Sequence, residues 1–376
     1  MTLSFKLQHS DGNSRAGIIH TAHGTIETPV FMPVGTYGVI KGIQPKELTK
    51  MGVNIILANT YHLMERPGKV ILEESGGLRK FMGWGGPILT DSGGFQVMSL
   101  SKMSKVDEEG VTFKSHLDGS SLRLSPEISI EMQKSFGSTI SMIFDECTSY
   151  PIDYELAKKS MRLSIRWAEK SKTYFNDRNG YGIFGIVQGS IYKDLRKESI
   201  KELNQLNFDG LALGGLAVGE GHDILVEVVK DSIEYFPLDK PRYLMGVGYP
   251  KDIIESVKLG IDMFDCVLPT RSGRTGKVFT KYGQLNIRNA RYKNDFRPLD
   301  IECKCDVCAK NVSRSYLHHL SNIGDMLASI YLTLHNINHY VELMSDIRNG
   351  IINKNFDEVA EKRLKDYEKG DIDLNN

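Results

Sequence analysis

Eight short apolar runs, separated by longer stretches of helical periodicity, constrain this chain more than any other feature. The runs are Phe31–Val34, Val53–Ala58, Pro87–Thr90, Ile140–Phe144, Gly182–Val187, Leu211–Leu213, Arg242–Met245 and Ile261–Phe264. Runs this short and continuously apolar suit strands buried on both faces, and helical stretches between them are what parallel strands require as crossovers. Tyr154–Tyr174, with Leu156, Met161, Ile165, Trp167 and Ala168 as its apolar stripe, and Ile191–Leu206 read as two such helices. Eight strand–helix units with no dinucleotide fingerprint at the first of them predict a closed α/β structure, an irregular (β/α)8 barrel, over an open doubly wound sheet.

Polar or glycine residues stand where the runs stop: Thr90-Asp91-Ser92-Gly93-Gly94, Phe144-Asp145-Glu146-Cys147, Val187-Gln188-Gly189, Leu213-Gly214-Gly215, Met245-Gly246 and Phe264-Asp265-Cys266. In a barrel these positions meet at the C-terminal face, where active sites are built from loops after different strands. Asp and Gly also cap helices after strands. Three aspartates and a glutamine at equivalent positions argue for a shared mouth instead.

Two segments break the rhythm. Residues 97–125 carry a charged turn (Lys105–Gly110) and two alternating runs (Val111–Lys114, Ser121–Leu124), which predict a β-hairpin insertion. From Lys277 an irregular stretch holds Cys303-x-Cys305-x-x-Cys308 and precedes a long helical segment from Arg314 to about Met344. Three thiolates in six residues ask for one further ligand to complete a tetrahedral structural zinc site. His318, His319, His335 and His339 are the candidates, and spacing alone does not choose among them. Residues 1–376 are read as one barrel catalytic domain containing a zinc-binding subdomain at about 277–345. The tail after Phe356 reads as a charged amphipathic helix.

Charge enters here because the chain is neutral, with 47 Lys+Arg against 47 Asp+Glu, so any polyanion site must be local. Arg271–Arg314 supplies such a patch: Arg271, Arg274, Lys277, Lys281, Arg288, Arg291, Lys293, Arg297, Lys304, Lys310 and Arg314 face only Asp295, Asp300, Glu302 and Asp306. Phe279, Tyr282, Tyr292 and Phe296 are interleaved, a composition suited to nucleic-acid contact, although such a run also serves as a solvated face. A polar N-terminus without a signal-like apolar region, and no stretch of about 18 apolar residues, predict a cytoplasmic protein with no membrane association.

Asp91 and Asp265 suggest a paired-carboxylate mechanism at an anomeric carbon, where the oxocarbenium-like transition state favours a nearby anion. Asp145 and Gln188 offer an acceptor pair and an amide able to read a base edge. The string Gly214-Gly215-Leu216-Ala217-Val218-Gly219 would let a ligand reach main-chain groups.

Taken together with Phe95-Gln96-Val97 after Gly94, Gly185-Ile-Val-Gln188-Gly189, Glu220 after Gly219, Pro269-Thr270-Arg271-Ser-Gly-Arg274, Phe31-Met-Pro-Val-Gly35-Thr36, Ala58-Asn-Thr-Tyr-His62-Leu and Tyr316-Leu-His-His-Leu320, these motifs resemble the bacterial tRNA-guanine transglycosylases over nearly the whole chain. The resemblance implies a homodimeric (β/α)8 barrel with one structural Zn2+ per subunit. Its expected activity replaces guanine at wobble position 34 of tRNAs for Asp, Asn, His and Tyr with a 7-deazaguanine.

Carried over by motif, Asp265 is the nucleophile at C1′ and Asp91 the general acid/base. Asp91, Ser92, Gly93, Gly94, Asp145, Gln188, the Gly215 amide and the Leu216 carbonyl hold the base, while Phe95 and Met245 sandwich it. Gly246, Val247, Gly248, Tyr249, Pro250, Lys251 and Asp252, with Thr270, Arg271, Ser272, Gly273 and Arg274, correspond to RNA-contacting segments. His335 joins Cys303, Cys305 and Cys308 as the fourth metal ligand. Cys147 and Val218 match the form that takes preQ1 (7-aminomethyl-7-deazaguanine) in preference to queuine. Two departures stand out: Thr139 where the family usually has Asp, and a Cys308–Arg314 loop one residue longer than usual. A non-catalytic tRNA-binding subunit and a carbohydrate-cleaving barrel are the competing readings; the retained aspartates oppose the first, and the cysteine cluster and basic stretch the second.

Overall fold

The computed structural model describes residues 3–100 and 104–371. It opens with an antiparallel sheet of β1 (Ser4–Asp11), β2 (Ser14–Thr21) and β3 (Gly24–Thr28), which the apolar-run reading does not foresee. Eight parallel strands then close a barrel: β4 (Val30–Gly35), β5 (Ile56–Ala58) and β6 (Ile88–Thr90), and, after the insertion, β10 (Ile140–Met142), β11 (Gly182–Val187), β12 (Gly210–Leu213), β13 (Arg242–Leu244) and β14 (Met263–Cys266). Closure comes from β14 pairing with β4 and β10 pairing with β6. Each predicted run thus overlaps one barrel strand, with β4, β12 and β14 reaching one or two residues beyond theirs. Nearly every barrel-strand residue is buried, because side chains fill the inside and helices cover the outside.

The N-terminal sheet sits by the N-terminal ends of the barrel strands. Leu3 N–H bonds the carbonyl of Tyr181, just before β11, and Arg15 pairs at 3.2 Å with Asp262, just before β14. That leaves the opposite end free for loops. Thr139, at the N-terminal end of β10, accepts from Ile88 N–H at 3.1 Å and lies 2.8 Å from His23 Nδ1, so it knits this same closed end and not the mouth.

The long helix forms as expected over Tyr154–Tyr174. Asp153 caps it by accepting from Leu156 N–H at 3.0 Å, and Trp167 and Met161 are buried, although Leu156 lies off the stripe at 55% exposure. Three expectations change. The insertion is a three-stranded meander, β7 (Ser104–Asp107), β8 (Gly110–Lys114) and β9 (Ser121–Leu124), since the charged stretch taken as a turn supplies a strand of its own. The irregular stretch after Lys277 begins as a hairpin, β15 (Lys277–Thr280) and β16 (Gly283–Asn286). The segment from Arg314 is two helices, Arg314–Ile323 and Met326–Ile352, broken where Gly324 takes φ +74° and Asp325 caps the second through Leu327 N–H. The tail helix is Phe356–Glu368. Among the described residues no helix is long and apolar enough to cross a membrane.

Candidate active site

The polar residues at the strand ends converge. Asp91 follows β6, Asp145 follows β10, Gln188 follows β11, Gly214–Val218 follow β12, Met245 and Gly246 follow β13, and Asp265 lies within β14. All of them line one cavity of about 410 Å³, within the range of small-molecule sites. Ser92, Gly93, Phe95, Cys147 and Arg271 line it too, with Phe95 half exposed. Gly94 lies just behind the wall, where a Cβ would fall 2.5 Å from the Asp145 carbonyl oxygen.

The three carboxylates sit in different settings. Asp91 is cradled by donors: Thr60 N–H reaches Oδ1 at 2.7 Å, and Asn59 Nδ2 and Gln96 Nε2 reach Oδ2 at 2.6 and 2.9 Å. Burial nevertheless wins over the cradle and, helped by the Asp265 charge, pushes its carboxyl up to about 6. Asp145 accepts from Gln188 Nε2 at 2.7 Å and Ser92 Oγ at 3.2 Å, and burial raises it to about 6 as well. Asp265 takes both of its donors on one oxygen: the Tyr243 hydroxyl at 2.6 Å and Gly246 N–H at 2.8 Å both reach Oδ1. Among the described residues Oδ2 receives no hydrogen bond, so it is free to act on a ligand. Burial raises the Asp265 carboxyl also, against the pull of those two donors.

Main-chain groups complete one wall. Gly215 has φ +63°, and a Cβ there would lie 2.4 Å from Gln188 Oε1, so only glycine lets Gln188 pass beneath it to Asp145. Glu220 accepts from Ala217 N–H at 2.5 Å and Val218 N–H at 2.9 Å, pinning the loop after β12. Arg196, buried beneath, donates to the carbonyls of Val187, Ser190 and Gly214 at 2.7–2.9 Å and so ties two strand ends together.

Sequence reasoning passed over Asn59, Thr60, Gln96, Tyr243, Arg196 and Glu220 as working groups. Asn59 and Thr60 obey the same rule that exposed the aspartates, polar residues where an apolar run stops. Tyr243 is hidden inside an apolar run and Arg196 inside a helix, with no local signal for either. Of the segments expected to meet RNA, Gly246, Tyr249, Lys251 and Arg271 are exposed, and Asp252 and Arg274 are half-buried. Val247, Gly248, Pro250, Thr270, Ser272 and Gly273 are buried, so their side chains serve the fold and any contact they make runs through the main chain.

The basic stretch is partly spent on the subdomain itself. Lys281 pairs with Glu302, Arg291 with Asp371, Arg297 with Asp295, Lys310 with Asp306, and Arg314 with both Asp295 and Asp371. Asp371, from beyond the stretch, adds an acid that composition did not count. Arg271, Arg274, Lys277, Arg288, Lys293 and Lys304 have no ion pair among the described residues.

Cys303, Cys305, Cys308 and His335 form a second, buried cluster whose ligand atoms all lie within 4.8 Å of one another. The three sulfurs stand 3.4–3.6 Å from His335 Nδ1, in line with the sulfur-to-nitrogen spacing of about 3.6 Å that tetrahedral zinc geometry requires. His335 Nε2 lies 2.8 Å from the Phe279 carbonyl, which requires the proton on Nε2 and leaves Nδ1 as the ligand atom. The donor set therefore fits a metal ion with no open position. The other candidates are accounted for: His318 bonds the Ile287 carbonyl at 2.8 Å, His319 is exposed, and His339 stacks on Phe279. The long Cys308–Arg314 loop turns at Asn311, φ +53°, without disturbing the cluster.

Fold and site thus define a (β/α)8 barrel of the enzyme class, with a carboxylate-lined cavity at the C-terminal mouth and a Cys3His cluster alongside. The queuine tRNA-ribosyltransferase family model matches residues 10–369. Queuine tRNA-ribosyltransferases of Rickettsia rickettsii (strain Sheila Smith) and Rickettsia bellii (strain OSU 85-389) are each 54% identical over 355 residues, covering 94% of this chain and 98% of theirs; that of Rickettsia massiliae (strain Mtu5) is 53% identical. The chain belongs to this family of pentosyltransferases.

Proposed function

We propose that this chain exchanges guanine at position 34 of tRNAs for Asp, Asn, His and Tyr for preQ1, through a covalent Asp265–tRNA intermediate. The observation that carries the reading is that one cavity holds two carboxylates prepared for different tasks. Asp265 has both donors on Oδ1, leaving Oδ2 to attack C1′ of the nucleotide as the bond to guanine breaks. The same donors stabilise the carboxylate as it is expelled when the incoming base attacks. Asp91, with its carboxyl pushed up to about 6, exchanges protons near neutrality, giving one to the departing base and taking one from its replacement. Asp145 and Gln188 face the base edge, with the Gly215 amide and Leu216 carbonyl beside them, and Phe95 and Met245 cover its faces.

The preQ1 assignment rests on Cys147 and Val218, both of which line the cavity. Burial pushes the Cys147 thiol up to about 12, so it stays neutral and acts as a compact polar wall, not a nucleophile. A Zn2+ held by Cys303, Cys305, Cys308 and His335 would bind the subdomain together and take no part in the chemistry. We read the chain as one catalytic unit working as a cytoplasmic homodimer, a state for which the exposed Ile323 and Met326 at the helix–helix corner offer apolar surface.

The test is exchange of labelled guanine into a tRNA with a G34-U35 anticodon, by wild type and Asp265→Asn in parallel. Incorporation and a denaturation-stable RNA adduct are expected for wild type alone. An adduct that survives in Asp265→Asn would remove the nucleophile from its role, and equal exchange of queuine and preQ1 would remove the base assignment.

A further inference from the structure

The segment Gly246–Gly248 lies between β13 and the helix Pro250–Leu259, and two side chains from elsewhere in the fold hold its main chain. At one end Gly246 N–H rests on Asp265 Oδ1 at 2.8 Å; at the other the Gly248 carbonyl accepts from the Tyr340 hydroxyl. Tyr340 is on the helix Met326–Ile352, five residues after His335. It is fully buried, with its ring 4.6 Å from that of Phe31 on β4 and 5.4 Å from that of Phe279 on β15, so the hydroxyl has no freedom to follow a moving loop.

Gly248 also touches the strand that carries Asp265. A Cβ at Gly248 would fall 2.5 Å from Cys266 Cβ, so the backbone lies flat against residue 266, and a shift of Gly248 changes the packing beside the carboxylate. The same helix grips the other loop at the mouth. Asn336 Nδ2 donates to the carbonyls of Pro269 and Lys277 at 3.0 and 3.1 Å, while its Oδ1 accepts from Phe279 N–H at 2.9 Å. One helix therefore carries a metal ligand and the residues that hold both loops flanking Asp265.

We propose that Tyr340 is a positioning residue for the nucleophile: it anchors Gly248, and through that anchor keeps the Gly246 N–H on Asp265 while the carboxylate attacks and later leaves. Burial holds the phenol well above its ordinary titration range, so the hydroxyl is a donor at any working pH. Without it the Gly248 carbonyl is left unsatisfied in a dry site, and the loop gains by moving toward water. The reacting atom then loses alignment, though no group that touches the substrate has been removed.

The kinetic arm of the test rests on the transglycosylase reading; the structural arm does not. In the full chain, Tyr340→Phe keeps the ring and deletes the hydroxyl. Hydrogen exchange followed by mass spectrometry should show faster exchange across residues 246–249, with residues 214–219 on the far wall and the metal content unchanged. Single-turnover adduct formation with tRNA should slow about tenfold, while the half-saturating tRNA concentration stays within about twofold, since loss of alignment affects the chemical step and not docking. Unchanged exchange at 246–249, an unchanged single-turnover rate, or faster exchange spread over the whole barrel would each overturn the proposal. If wild type forms no adduct, the transglycosylase reading fails and the exchange arm alone decides the link.

Discussion

Asp91→Asn should make the folded protein more stable at neutral pH while abolishing its activity. The carboxyl is held at about 6 against an ordinary 3.8, with burial as the largest cause. The folded state thus binds a proton that the unfolded state has already released. The penalty is absent below about pH 4, grows between the two values and is complete above about pH 6. That displacement corresponds to on the order of 3 kcal/mol.

An asparagine removes the charge and can still be fully bonded. Its oxygen accepts from Thr60 N–H as Oδ1 does now. Its two amide protons meet Asn59 and Gln96 if those amides turn over, and Gln96 Oε1 is at present buried without a partner among the described residues. We expect Asp91→Asn to gain about 1–3 kcal/mol over wild type in urea unfolding at pH 8. The gap should close as the pH falls toward 4. A variant less stable than wild type at pH 8, by an amount that does not change with pH, would refute the reasoning and show that the cradle, not burial, governs this site.

Gly215→Ala forces a side chain into a left-handed backbone, costing about 1–2 kcal/mol, and drives Gln188 off Asp145; kcat/KM for the free base should fall on the order of 100-fold with tRNA affinity unchanged, as read by base titration in the exchange assay. Cys305→Ser removes one of four ligands from a closed site, so bound metal measured by elemental analysis should drop from about one per chain to near zero, and tRNA binding should weaken with it. If the six unpaired basic residues between Arg271 and Lys304 all contact phosphates, the slope of log affinity for tRNA against log salt should lie between about −4 and −5; a flat response would mean that the patch faces only solvent.

The barrel was legible because strands buried on both faces must be apolar throughout, and eight such runs leave few alternatives. The aspartates were legible for the complementary reason: a charged residue at the end of an apolar run has to emerge at the mouth. The N-terminal sheet was not, since β1 is exposed along most of its length and lacks an apolar face to betray it. The break at Gly324–Asp325 was obscured by apolar periodicity that continues across both helices. Tyr243, Arg196 and Tyr340 read as core or as stray polar residues until partners 6 to 92 positions away come into contact with them.

Sequence by itself determined the things that depend on residue type and local spacing: the number of barrel strands, the polar ends that make a mouth, and three thiols placed to share an ion. Only the tertiary structure decided the things that depend on distance. Spacing left four histidines open and only the resemblance favoured one; the fold sets His335 Nδ1 against three sulfurs and gives its other nitrogen to the Phe279 carbonyl. Residue type and spacing left three aspartates as equal carboxyls; in the fold their donors separate them, two on one oxygen of Asp265 and three shared between both oxygens of Asp91. A carboxyl's chemistry is set by its solvation and its hydrogen bonds, and both come from residues that are remote in the chain.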